Sequence, residues 1–170
     1  MLHMEQKSYK FEIVNKLLTK EEHVRKIAKE LKTNHMIISR KMKELFEENI
    51  VDFREEGKNN VYFLKKNAET KNFVYMTENY KLIRLLNKYP NLRNIIEKIQ
   101  KDNKIKLAII FGSYSKNDAT KNSDVDIFIE TEDRKIKEDL ERIDSKISIK
   151  IGRYDKNNLL IKEIEKNHVI

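Results

Sequence analysis

Two short runs in the last third of the chain carry residue types that do chemistry. Gly112-Ser113 closes an apolar run from Ile105 to Phe111. After ten residues, Tyr114 through Ser123, comes Asp124-Val125-Asp126-Ile127-Phe128-Ile129. The second run alternates, so it reads as a strand with Asp124 and Asp126 on one face and Val125, Ile127 and Ile129 toward a core. Two carboxylates side by side repel each other. A divalent cation resolves that conflict, and hard oxygen ligands suit Mg²⁺. Glycine lets backbone approach a phosphate closely. The Ser113 hydroxyl and nearby amides can hold terminal phosphates. A metal bridging phosphate oxygens beside such donors is the machinery of phosphoryl and nucleotidyl transfer.

Gly-Ser, a ten-residue spacer ending in Ser123, then Asp124-x-Asp126 on the next strand resembles the DNA polymerase beta-like nucleotidyltransferase superfamily. The likeness is greatest to its minimal nucleotidyltransferase group and covers about residues 104–167. The resemblance implies that Gly112 and Ser113 hold a nucleoside triphosphate, ATP first among them. It implies that Asp124 and Asp126 bind Mg²⁺ and act in catalysis. It also implies a third acidic residue on a later strand. That strand reads Ile147-Ser148-Ile149-Lys150-Ile151, and its polar face offers Ser148 and Lys150 instead. Asp144 and Asp155 flank the strand, but alternation does not favour them. Glu130 shares the face of Asp124 and Asp126 but lies about 13 Å beyond Asp126 along a strand.

These runs need elements to position them. Arg134 to Lys146 reads as a helix with Ile136, Leu140 and Ile143 inward. Asn157 to Asn167 reads as another, with Leu159, Leu160 and Ile164 inward. His168-Val169-Ile170 reads as a tail after which a strand or helix should follow.

Upstream the periodicity is different. Phe11, Val14, Leu17 and Leu18 lie at helical spacing within 8–19, and Thr19 with Glu22 reads as a capping box. Val24, Ile27, Ala28 and Leu31 mark a second helix. Lys32-Thr33-Asn34 makes a turn, and Asn34 caps a third helix that carries Ile38, Met42, Leu45 and Phe46. The period then changes to that of strands, Ile50–Arg54 and Val61–Leu64, with a hairpin composition between them. Three helices and a two-stranded wing resemble the winged helix-turn-helix domains of prokaryotic transcription regulators, although Lys32 stands where a glycine is common. By that resemblance the third helix enters the major groove of double-stranded DNA. Asn34, His35, Ser39, Arg40 and Lys43 then face bases or phosphates, and Arg54 and Lys58 touch phosphates. A dimerisation or partner-binding role for this domain is the plainer alternative.

Between the two lies a helical stretch. Phe73, Tyr80, Ile83 and Leu86 fall near one face of 67–89, Pro90 stops the helix, and Asn91 is placed to cap the next. The tyrosines here read as packing residues. A long apolar helix between two small domains suits a dimer seam, and two wings on one DNA site suit a homodimer.

The reading is an α+β chain: a winged helix (three helices plus β-hairpin) over 1–66, a helical linker over 67–103, and a nucleotidyltransferase-like sheet with flanking helices over 104–170. Composition agrees. Hydrophobic residues make up 39% and charged residues 38%, as in a folded chain with a heavily charged surface. No cysteine is present, which excludes disulfides and thiolate metal sites. No apolar run is long enough to span a membrane, and no signal-peptide layout opens the chain, so a cytoplasmic protein is expected. The net charge of +8 is uneven. Residues 1–65 carry 14 basic and 11 acidic side chains, residues 66–104 carry 9 and 4, and residues 105–170 carry 13 of each. Such a distribution suits a polyanionic partner for the first two-thirds or, as the plainer alternative, a solvated basic surface.

Three functions stay open. One is an enzyme that moves a nucleoside monophosphate to a protein or small-molecule hydroxyl, like antitoxins that modify a partner toxin. The second is a DNA-binding regulator whose nucleotidyltransferase fold only senses nucleotide or metal. The third is a pairing module that uses neither site.

Overall fold

A computed structural model describes residues 8–170. The first seven residues of the expected 1–66 domain lie outside the described residues. The chain divides into two units, Met1–Tyr80 and Lys81–Ile170.

In the first unit, α1 (Tyr9–Thr19), α2 (Val24–Glu30) and α3 (His35–Glu47) enclose a core. Ile13, Val14, Leu17, Ile27, Ala28, Leu31, Ile38, Met42 and Leu45 are all buried in it. The turn between α2 and α3 needs left-handed backbone, and Lys32 supplies it at φ 51°. The Asn34 side chain then accepts a hydrogen bond from the Met36 amide at 2.8 Å and starts α3. Asn49, also left-handed at φ 63°, ends α3 and turns the chain into the wing. The wing is β2 (Val51–Glu56) and β3 (Asn59–Leu64), joined through Gly57-Lys58 with Gly57 at φ 62°. Leu18 and Phe46, expected on apolar stripes, are 43% exposed.

The wing has a third strand that the sequence reading lacked. Glu22–His23 forms β1, and the sheet order is β1-β3-β2, antiparallel throughout. The expected capping box at Thr19 and Glu22 is therefore corrected. Glu22 lies in β1, the Thr19 hydroxyl donates back to the Lys16 carbonyl, and α2 starts only at Val24. The long helix α4 (Ala68–Lys88) begins against this unit. Thr70 donates its hydroxyl to the Ile50 carbonyl at 2.9 Å. Phe11 meets the rings of Phe73 and Tyr80 at 5.2 and 4.9 Å.

The second unit starts with the end of α4, whose Leu82, Leu85 and Leu86 join its core. The stretch read as a linker, 67–103, is thus shared between the two units. A 3₁₀ turn at Pro90–Leu92 leads straight into α5 (Arg93–Lys101). Asn91 sits inside that turn and caps nothing, which corrects the expectation at that position.

Three strands follow in the order β4-β5-β6. β4 (Ala108–Phe111) is antiparallel to β5 (Val125–Glu130), and β6 (Ile147–Gly152) is parallel to it. A parallel pair needs a crossover, and α7 (Arg134–Glu141) supplies it. The helix expected to Lys146 stops at Glu141, and a turn leads into β6. Ile110, Val125, Ile127, Ile129, Ile147 and Ile149 pack on one face with α5 and α7. Ile109 and Phe128 pack on the other face with Ile161 and Ile164 of α8 (Leu159–Lys166). Leu159, expected inward, is 82% exposed because Asn158 caps α8 through the Leu160 amide, which turns Leu159 outward. The tail pairs with the sheet: Val169 is buried and exchanges both backbone hydrogen bonds with Ile110 at 2.8 and 3.0 Å.

Candidate functional site

The site in the second unit is built at the junction of β4 and β5. β4 ends at Phe111, which pairs across to Asp126. Gly112 follows at φ 71° and opens α6 (Gly112–Ser115), a single turn. A Cβ on Gly112 would stand 2.7 Å from Oδ2 of Asp126. The backbone and the carboxylate therefore approach as closely as only glycine allows. Ser113 is half-buried, and its hydroxyl makes no hydrogen bond to another described residue. The Ser115 hydroxyl donates to the carbonyls of Gly112 and Asn167 at 2.9 and 3.0 Å and fixes the turn from behind. The spacer is held by its own turns. Ser123 Oγ accepts from the Thr120 amide at 2.9 Å, and Lys146 Nζ donates to the Lys121 carbonyl at 2.6 Å.

Asp124, just before β5, is exposed, while Asp126 is half-buried. Burial first, and the negative charge of Asp124 second, push the Asp126 carboxyl above its ordinary value. Lys150 and a hydrogen bond from Ser148 pull it partly back. A carboxylate pair whose mutual repulsion is only partly offset suits one divalent cation on hard oxygen ligands.

The third carboxylate is missing from its place. In the parallel register Asp126 lies beside Ser148, and Phe128 lies beside Lys150. Asp144, Asp155 and Glu130 are each engaged locally. Asp144 accepts from the Lys146 amide at 2.9 Å, and Asp155 accepts from the Asn157 amide at 2.9 Å. Glu130 accepts from the Tyr154 amide at 3.2 Å. Among the described residues no three His, Cys, Asp or Glu side chains come together to hold a metal. The donor set fits one ion on two carboxylates and does not fit a site that needs three.

The first unit presents a second surface. His35, Ser39, Arg40 and Lys43 are exposed on α3. Asn34 is exposed as well, but its carboxamide oxygen is used in capping. An open concavity of about 590 Å³ lies at the start of α3, lined by Arg25, Ala28, Lys29, Thr33, Asn34 and His35. Arg25 and Lys29 were absent from the sequence-based set. Their spacing of four on the outer face of α2 was the available signal. On the wing Lys58 is exposed at the turn, while Arg54 is paired with both Glu21 and Glu56. The structure thus gathers Asn34, His35, Ser39, Arg40 and Lys43 on one element and holds Arg54 between carboxylates.

The molecule is an α+β protein with a winged helix-turn-helix unit followed by a three-stranded, helix-covered sheet bearing a Gly-Ser and Asp-x-Asp site. Residues 92–169, within the second unit, match the family model described as nucleotidyltransferase domain. No curated protein matches the sequence. Solved structures with similarity include the transcriptional repressor BigR from Xylella fastidiosa (18% identity, 42% of this chain and 70% of that one, TM-score 0.38). Another is the homodimeric winged helix-turn-helix DNA-binding domain of Mb0332 from Mycobacterium bovis, a possible ArsR-family regulator (18%, 46% and 68%, TM-score 0.36). A third is the adhesin competence repressor AdcR from Streptococcus pyogenes (13%, 58% and 79%, TM-score 0.37). At these scores the winged-helix assignment rests on the element order and register described above. No helix of the described residues is long and apolar enough to cross a membrane.

Proposed function

We propose that this chain is a DNA-binding regulator whose nucleotidyltransferase domain binds a nucleoside triphosphate without transferring it. The observation that carries this reading is the pairing of Asp126 with Ser148, and of Phe128 with Lys150, where a third carboxylate would have to stand. Transfer needs a group to take the proton of the attacking hydroxyl and to complete the metal site. A serine and an ammonium do neither. Binding needs less. The Gly112 turn, the Ser113 hydroxyl and one Mg²⁺ on Asp124 and Asp126 hold phosphates, with ATP as the first nucleotide to try.

The basic, exposed face of α3 and the Arg25–Lys29 concavity support DNA as the partner. A homodimer suits two half-sites. Tyr75 and Met76, exposed on the part of α4 in the first unit, are apolar surface for such pairing.

The retained Asp124 and Asp126 favour a second reading, an antitoxin-like enzyme that modifies a toxin-type partner with a nucleoside monophosphate. Incubation with α-labelled nucleoside triphosphates, Mg²⁺ or Mn²⁺ and a lysate of the source decides between them. The proposal expects ATP binding without label transfer. Label transferred by wild type and not by Asp124→Ala/Asp126→Ala overturns it, and the labelled band names the acceptor.

A further inference from the structure

We infer that the Lys150 ammonium takes over part of the metal's role at this site, so that the domain holds a triphosphate with or without a divalent cation. The inference rests on the nucleotide-binding reading above and concerns how that binding is balanced electrically.

Geometry comes first. Ile147 and Ile149 are buried on the face of β6 that packs with α5 and α7, so Ser148 and Lys150 lie on the other face, the one that Asp126 occupies on β5. Strand spacing and rise place the Cα atoms of Asp126 and Lys150 about 8 Å apart, within reach of a four-carbon stem. Lys150 is exposed and has no carboxylate within ion-pair distance among the described residues. Its charge is nevertheless felt at Asp126. Two other lysines near the spacer are in use. Lys146 ties down the Lys121 carbonyl, and Lys88 donates to the Asn117 carbonyl.

Charge comes second. A third carboxylate would add a negative charge that only a further cation could offset. Lysine at this register does the reverse, bringing a fixed positive charge with three donors. Phosphate oxygens seated on the Gly112 turn would meet it, and its charge would offset part of the repulsion from Asp124 and Asp126 that a divalent cation otherwise cancels. The ammonium cannot activate a hydroxyl as a base while charged, which accords with binding without turnover.

The test measures binding of a fluorescent ATP analogue to the full chain by anisotropy, in Mg²⁺ and in EDTA. Wild type should bind in both, within about threefold. Lys150→Gln should lose about tenfold or more in EDTA, the worth of one charge-assisted hydrogen bond, and less in Mg²⁺. Lys150→Glu should bind only when Mg²⁺ is present. Melting curves would show each variant folded, as expected for an exposed position. Wild-type binding in Mg²⁺ but not in EDTA overturns this inference and leaves the nucleotide-binding reading standing. Unchanged EDTA binding by Lys150→Gln overturns it as well. No binding under either condition overturns both.

Discussion

Gly112 meets two demands at once: left-handed backbone and the bare approach of a carboxylate. An alanine there would carry φ 71° and push its Cβ to 2.7 Å from Asp126 Oδ2. Gly112→Ala should cost about 1–3 kcal/mol of stability and should weaken ATP binding further than that loss explains. Thermal denaturation and a binding titration on the same sample check both. An alanine variant that binds as wild type would remove the turn from the site. Asp126 makes an opposite trade. Its carboxyl is held above the ordinary 3.8, chiefly by burial and then by Asp124. The folded state therefore keeps this proton more tightly than the unfolded chain does. Stability falls as pH rises from 3.8 through the raised value. Asp126→Asn should melt higher than wild type at neutral pH, lose that advantage in acid, and fail to hold Mg²⁺-ATP. Equal melting at neutral pH would show that the carboxylate carries no such penalty. At this scale the sequence was informative because Gly-Ser and Asp-x-Asp are local patterns. What it could not show is which partner strand residue stands beside Asp126, since that depends on the register of β6.

Elements were legible where one period ran unbroken and misread where tertiary pairing competed. α3 has a strong cap and a clear apolar stripe, and it begins where Asn34 indicates. Glu22 has good capping chemistry, but two residues are enough to add a strand to β3, and β1 took them. Asn91 lost its capping role because Pro90 tightened the chain into a 3₁₀ turn. The helical pattern over 157–167 puts Leu159 inward, yet the start of α8 after its cap Asn158 turns it out. Lys32 was an oddity in the sequence, and the structure gives it meaning as a non-glycine residue in left-handed backbone. Lys32→Gly should therefore stabilise the winged unit by up to about 1 kcal/mol, seen as a higher denaturation midpoint. A lower midpoint would mean that glycine's freedom in the unfolded chain outweighs the relief.

For the whole molecule, the uneven charge and the two-unit division suggest different work for the two ends. The sequence reading separated winged-helix from nucleotidyltransferase features, while the extent of α4 in each unit depended on long-range packing that periodicity does not contain. DNA affinity of the full chain should fall steeply with salt, and Arg25→Ala, Arg40→Ala and Lys43→Ala should each reduce that slope by about one. Arg54→Ala should change it less, because Glu21 and Glu56 already hold that guanidinium. A larger effect for Arg54 than for Arg40 would move the contact surface to the wing. If the units communicate, Mg²⁺-ATP should alter DNA affinity, and equal affinities with and without it would show them independent.

The position of β6 at the end of its sheet has a further consequence, for solubility. Its outer edge carries no further strand among the described residues and is occupied in part by Glu141, which accepts from the Ile149 amide at 2.9 Å, and the β-branched run Ile147, Ile149 and Ile151 would extend readily if that edge were opened. Lys150 breaks that run with a charge. The same ammonium that faces the candidate nucleotide site thus also guards the sheet against growing from one molecule into the next, and an apolar residue in its place would favour fibres.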